Sequence, residues 1–239
     1  MTLLSVVKDV CAAVGVTVPQ SVFSNINGNR TMQEMVSLAN EMAQRIAYDT
    51  RDWTTMRVFH TINGDGIATD FPLPANFKRL LLTSNIWPSN SQSPMRFIPD
   101  SDEWMRRRAN NEINSHGEWT KFGNAISIFP VMPVGASASF VYLDKNSIVL
   151  ASGGVGDTFL SDNDIFWIDE RLLKLAMIYQ WKAQKGSSYA EDMSTYGDAL
   201  TVAMGHDTPA PILIDRKPIS AHTRTTMPTQ TIYVPGPVP

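Results

Sequence analysis

DNDIFWIDERLLKLAMIYQWKAQKGSSYAEDMSTYGDALTVAMG, residues 162–205, is the stretch whose periodicity decides the fold. Behind the acidic start Asp162-Asn163-Asp164, the apolar side chains of Ile168, Leu172, Leu175, Ala176 and Tyr179 recur at helical spacing and share one face. Lys182, Lys185 and Gly186 suit that helix's end, where cations meet the negative end of the dipole and glycine takes a left-handed turn. Ser188-Tyr189-Ala190-Glu191 has the spacing of a capping box, and Tyr189, Met193, Tyr196, Leu200 and Met204 make a second apolar stripe ending at Gly205. The segment reads as a helical hairpin. Trp181, Tyr189 and Tyr196 sit at its packing positions rather than on a base-stacking surface.

A partner for this hairpin stands at the other end of the chain. Leu3, Val6, Val7, Val10 and Val14 share a helical face, with Thr2 placed to cap the start and Gly15 the end. Cys11, the single cysteine, lies among these valines and reads as a small buried apolar group. After an Asn-, Ser- and Gly-rich stretch at 20–30, Thr31-Met32-Gln33-Glu34 spells a second capping box, followed by Met35, Leu38, Ala39, Met42 and Ile46.

Between the two helical pairs the period changes to two. Met56, Val58, His60 and Ile62 alternate with Arg57, Phe59 and Thr61, and Asn63-Gly64-Asp65-Gly66 offers a tight turn, which predicts a hairpin. Its second strand would carry Phe71-Pro72-Leu73-Pro74 at an edge or at a strand's end, because proline cannot donate to a ladder. A further strand is expected at 77–86 and a brief helix at 99–110, which holds Trp104, Met105 and Arg106-Arg107-Arg108. Strands follow at 118–122, 125–129 and 137–143, with turns at Gly123-Asn124 and Pro133-Val134-Gly135; residues 147–151 extend the last strand. Gly153-Gly154-Val155-Gly156 reads as a flexible hinge.

The fold class expected is therefore α+β: a helical bundle from N-terminal (1–52) and C-terminal (153–206) helices, an inserted antiparallel β-domain (53–152), and an extended C-terminal arm (207–239). The arm holds seven of the fifteen prolines and neither period. Fully extended it reaches about 100 Å. It has no pattern by which to fold alone, so it is expected to take its shape from a neighbour, with Ile212, Ile214, Ile232 and Tyr233 as contact candidates.

Asp157-Thr158-Phe159, Asp169-Glu170-Arg171-Leu172-Leu173, Gln180-Trp181-Lys182-Ala183-Gln184-Lys185-Gly186 and Tyr189-Ala190-Glu191-Asp192 together resemble the C-terminal helical hairpin of the head-to-tail adaptor (connector) proteins of tailed bacteriophages. Phe71-Pro72-Leu73-Pro74-Ala75-Asn76-Phe77-Lys78-Arg79-Leu80 is similar to a strand and loop of the same proteins. The resemblance implies a virion structural protein assembled in the host cytoplasm as a homo-oligomeric ring of about twelve copies. Its implied partners are the portal protein, a downstream tail or nozzle protein, and double-stranded DNA passing non-specifically through the channel. Arg106, Arg107, Arg108, Arg171 and Trp181 are the expected interface residues of the body.

Composition fits a binding protein better than a nucleic-acid grip or an enzyme. The net charge is −3 and charged residues make up 18%, below the usual level of about 25%. No apolar run is long enough for a membrane span, and Met1-Thr2-Leu3-Leu4 lacks the positive region of a signal peptide. Residues 153–158 lack the lysine of a phosphate loop, and Asp162, Asp164, Asp169 and Glu170 lack the spacing of a calcium loop and read as helix-start carboxylates. His60, His116, His206 and His222 are scattered, and no nucleophile elbow is present. No catalytic residue, metal or cofactor is expected; the alternatives are a virion-associated cell-envelope hydrolase and a receptor-binding tail module.

Overall fold

The computed structural model describes residues 1–24, 26, 28–81 and 84–207. Thr2 caps α1 (Leu3–Val14), its Oγ1 accepting from the Ser5 N–H at 3.4 Å, and Gly15 ends the helix at φ 72°. In α2 (Arg30–Gln44) the expected capping box is not used. Asn29 caps instead, its Oδ1 accepting from the Thr31 N–H at 3.0 Å, so Thr31 already lies inside the first turn. Glu34 then turns outward to Arg30 and Lys185. The chain continues through a π-helical turn, Arg45–Asp49, and a 3-10 turn, Thr54–Met56.

The middle of the chain supplies β1 (Arg57–Asn63), β2 (Asp70–Pro72), β3 (Phe77–Leu80), β4 (Trp87–Pro88), β5 (Arg96–Phe97), α3 (Ser101–Ala109), β6 (Glu118–Phe122), β7 (Ala125–Phe129) and β8 (Ser137–Asp144). The tight-turn residues 63–66 do not close the expected hairpin. β1 pairs antiparallel with β8 along its whole length, from Arg57↔Leu143 to Asn63↔Ser137, while β2 pairs with β7 in another sheet. The turn signal is local, and β8 offers a longer apolar face than the three-residue, proline-ended β2: Val58, His60 and Ile62 line up with Tyr142, Phe140 and Ala138. The loop instead packs on the 132–136 segment, where the Gly64 N–H donates to Ala136 O at 2.8 Å. Glycine is required there by proximity, since a Cβ would stand 2.6 Å from Pro133 O.

Two four-stranded sheets result. In one, β8 is flanked by β1 and by β3 and β4; in the other the order is β2-β7-β6-β5. The second is mixed rather than purely antiparallel, because β5 pairs with β6 in parallel. Residues 147–151 do not extend β8. A third sheet joins β9 (Ile148–Val149), β10 (Val155–Gly156) and β11 (Ile165–Phe166) in the order β10-β9-β11. The glycines expected to form a hinge make its turn: Gly153 and Gly154 take φ of 94° and 87°, and the Leu150 N–H donates to Gly154 O at 3.1 Å.

The last elements are α4 (Glu170–Gln184) and α5 (Ala190–Asp207), a hairpin as the periodicity predicts, and the fold class is α+β. The second expected capping box falls one residue out of register with the Ala190 start. α1, α2, α4 and α5 share one hydrophobic core with Trp53, Leu143, Ile148, Phe159 and Phe166. Ile62, Ile86, Trp119, Ile126, Phe140 and Tyr142 belong to a second core between the sheets. β8 serves both, Phe140 and Tyr142 in one and Leu143 in the other. Its burial therefore alternates up to Tyr142 and stays continuous to Asp144.

Of the expected helix-start carboxylates, Asp169 and Glu170 serve α4, and Asp162 and Asp164 do not. Asp169 is the cap, its Oδ1 accepting from the Arg171 and Leu172 N–H groups at 2.7 and 3.1 Å. Asp164, 1% exposed, accepts from the N–H groups of Ala151, Leu160 and Ser161 at 2.9, 2.6 and 2.8 Å. Asp162 accepts from Val22 N–H at 3.0 Å, Phe23 N–H at 3.2 Å and the Ser21 hydroxyl. Their carbonyls receive the first amides of α1: Leu3 N–H on Asp164 O at 2.8 Å and Leu4 N–H on Asp162 O at 3.0 Å.

At the other end of α5, Asp207 belongs to the body rather than to the arm. Its carboxylate accepts from the Thr54 N–H at 3.1 Å and pairs with Arg51 Nε at 3.4 Å. The remainder of the expected arm, 208–239, lies outside the described residues, and with it Ile212, Ile214, Ile232 and Tyr233.

Two expectations follow from these contacts. Asp164→Ala strands three buried amides at once and should cost about 3 kcal/mol or more in urea unfolding, whereas the half-exposed Asp162→Ala should cost about 1 kcal/mol. Burial pushes the Tyr48 and Tyr196 phenols up to about 12, above the ordinary tyrosine value of the unfolded chain. The stability tied to their neutral forms is complete below that ordinary value and is lost as pH rises towards about 12. Burial raises Tyr142 as well, so tyrosinate absorbance should show three late-titrating groups, and Tyr48→Phe should remove one of them.

Candidate functional site

The concentrated positive charge of the chain lies on α3. Asp100 caps the helix by accepting from the Asp102 N–H at 2.9 Å, and the fully buried Trp104 anchors it to the body. Three consecutive helical residues point about 100° apart, so the three arginines have different surroundings. Arg107 turns inward: its Nε reaches Glu103 at 2.8 Å and its Nη1 reaches Glu118 at 2.8 Å. Glu118 is 0% exposed and its Oε2 has no hydrogen-bond partner among the described residues, so Arg107 is the countercharge that makes its burial tolerable. Arg106 pairs with Glu112. Arg108 is exposed and forms no ion pair among the described residues. The expected three-arginine interface reduces to Arg108 with a partly exposed Arg106, because Arg107 is committed within the subunit.

Arg171 is exposed at the start of α4, where it can meet a neighbour. Trp181, expected at an interface, is instead core: it is 6% exposed, and Lys185 Nζ lies 4.6 Å from its ring centroid. The apolar stripe of α5 is only partly packed. Tyr196 meets Tyr179 with ring centroids 5.2 Å apart and Leu200 and Met204 pack against the core, whereas Tyr189 and Met193 are exposed, and Ala199 is the one buried residue of the helix. Helical spacing identifies a stripe but not how much of it a single chain covers.

Two further surfaces had no sequence signal. Phe59, 69% exposed, stands beside its register partner Val141 on the outer face of the β1–β8 pair, with Trp87 at 48% exposure bordering the same hollow. Strand alternation marks Phe59 as outward, but only the pairing of β1 with β8 and of β4 with β8 gathers these residues. Arg51, Arg57 and Arg79 line an open hollow of about 440 Å³ beside Met204. Arg79 is paired with Asp52 and Arg51 with Asp207, so this hollow is close to neutral.

Titratable groups elsewhere serve the fold. The Cys11 thiol is buried and pushed up by desolvation, which disfavours the thiolate. His60 stacks edge-on against Phe140 at 5.4 Å, and His116 bonds the Ser91 hydroxyl at 2.9 Å. Among the described residues, no group of three or more His, Cys, Asp or Glu is placed to hold a metal ion, and no helix is long and apolar enough to cross a membrane. No protein-family model matches the chain, and no curated protein matches it.

The three arginines should separate in a stability scan. Arg107→Ala should lower the urea midpoint the most, and adding Glu118→Gln should recover part of the loss by removing the stranded charge. Arg108→Ala should leave the midpoint within about 0.5 kcal/mol of the parent.

Proposed function

We propose that this protein is a structural subunit of a tailed-phage virion, a head-to-tail adaptor that assembles as a ring of about twelve copies beneath the portal. The observation that carries the reading is α5, eighteen residues long with Ala199 alone buried. Tyr189 and Met193, outward at the start of this helix, gain by packing on a neighbour, and a helix placed so on every copy gives the head-to-tail contact that closes a ring. The sequence resemblance of residues 157–192 to adaptor hairpins points the same way. In this reading α4 and α5 carry subunit packing, with Arg171 at the rim, and residues 208–239 reach the portal or a downstream tail protein. Double-stranded DNA passes along the axis without specific recognition, which suits a chain of net charge −3. The protein works by fit, and no residue performs covalent chemistry.

Mixing the purified protein with its portal and imaging by negative stain tests the proposal. A ring of about twelve copies on the portal is expected; a free monomer that ignores the portal refutes it. Met193→Asp should leave the unfolding free energy within about 0.5 kcal/mol yet abolish the ring, because the charge falls on an exposed position that assembly would bury. A chain ending at Asp207 should stay folded, since that residue's contacts with Thr54 and Arg51 are retained, while attaching to the portal more weakly.

A further inference from the structure

β1 is an edge strand without the usual protection. Among the described residues it pairs with β8 on one side and with nothing on the other, so every second residue presents its amide and carbonyl outward. The other edges are blunted: β2 has three residues and ends in Pro72, β5 has two, and β3 is four residues long with a register shift between Phe77 and Arg79. β1 is seven residues of regular register, RVFHTIN, with no proline, glycine or lysine. Phe59, at 69% exposure, stands in the middle of it. Such an edge pairs with whatever strand comes near.

The last described residue lies close to this place. Asp207 is hydrogen-bonded to the Thr54 N–H at 3.1 Å, three residues before β1 begins, and 32 residues follow it in the sequence. An extended chain advances about 3.3 Å per residue. Five residues beyond Asp207 is Ile212, and five beyond Thr54 is Phe59. The intervening Thr208-Pro209-Ala210-Pro211 has two residues that cannot donate to a ladder, and Asp215-Arg216-Lys217-Pro218 follows. Ile212-Leu213-Ile214, between them, has the composition and the amides of a strand.

We propose that the open edge of β1 is a docking site whose occupant is Ile212, Leu213 and Ile214 of the same chain, added as a parallel strand alongside residues 59–61. The tether is short, so this segment reaches the edge at high effective concentration and outcompetes a strand from another copy. Its seat closes an edge that would otherwise pair copy to copy, and it fixes the point from which residues 216–239 depart. The inference stands on the edge and the exit point, and does not require the protein to be a virion component.

Two measurements on the full chain decide it. In a Thr61→Cys/Ile214→Cys variant, with Cys11 left buried, mild oxidation at low concentration should form a disulfide within one molecule, because neighbouring strands lie at about the Cα separation a disulfide needs. A Thr61→Cys/Ile232→Cys control should stay reduced. Leu213→Pro should raise hydrogen exchange at the outward-facing amides of β1 by about tenfold or more, leaving α1 and α4 unchanged. Equal exchange in parent and Leu213→Pro chains overturns the proposal. A disulfide that forms between molecules overturns it too, by placing the segment on a neighbour's edge.

Discussion

Asp162 and Asp164 stand two residues apart in a loop that touches the start of α1, residues 21–23 and the end of the β9 region at once. Each carboxylate gathers amides or hydroxyls from segments that have no helix or strand to satisfy them, and each carbonyl receives an amide of the first turn of α1. Amides held by a buried carboxylate are costly to leave without a partner. The loop therefore has one low-energy arrangement, and that arrangement places the N-terminal helix against α4. The packing of Val6, Val7 and Val10 in the shared core supplies the free energy, and the two carboxylates supply the register.

From that body the β-region projects through β8. One strand belongs to two cores, with Phe140 and Tyr142 between the sheets and Leu143 among the helices. The Tyr48 hydroxyl donates to Lys145 O just beyond β8, and Trp53 Nε1 donates to Ile46 O at 2.7 Å, so both ends of the junction are held by aromatic side chains with a polar tip. The sheets are thus carried rigidly on the bundle.

What the molecule leaves uncovered is as specific as what it buries. Charges are mostly committed within the chain: Arg107 to Glu103 and Glu118, Arg79 to Asp52, Arg51 to Asp207. The surfaces left over are apolar, along α5 and around Phe59. Apolar residues exposed along a regular helix or strand mark contact with protein more readily than with nucleic acid, whose backbone rewards unpaired cations.

Periodicity determined much by itself. The four main helices, the α3 segment, the strands at 118–122 and 125–129 and the turn between them are legible in the spacing of apolar side chains, because a helix or tight hairpin answers to residues close in sequence. So are the caps at Thr2 and Gly15. The pairing of β1 with β8 rather than β2, the glycine turn at 153–154, the duties of Asp162 and Asp164, the loss of Arg107 and Trp181 as interface residues and the exposure of α5 were decided by tertiary structure. Some depend on groups 70 or more residues apart, as between Phe59 and Val141 or Asp162 and Val22, and the others on how the folded chain orients or covers side chains, as when Arg107 turns in to Glu118. A linear pattern specifies which face of an element is apolar; only the folded chain settles which neighbour reaches that face, because burial is a property of the area two surfaces share.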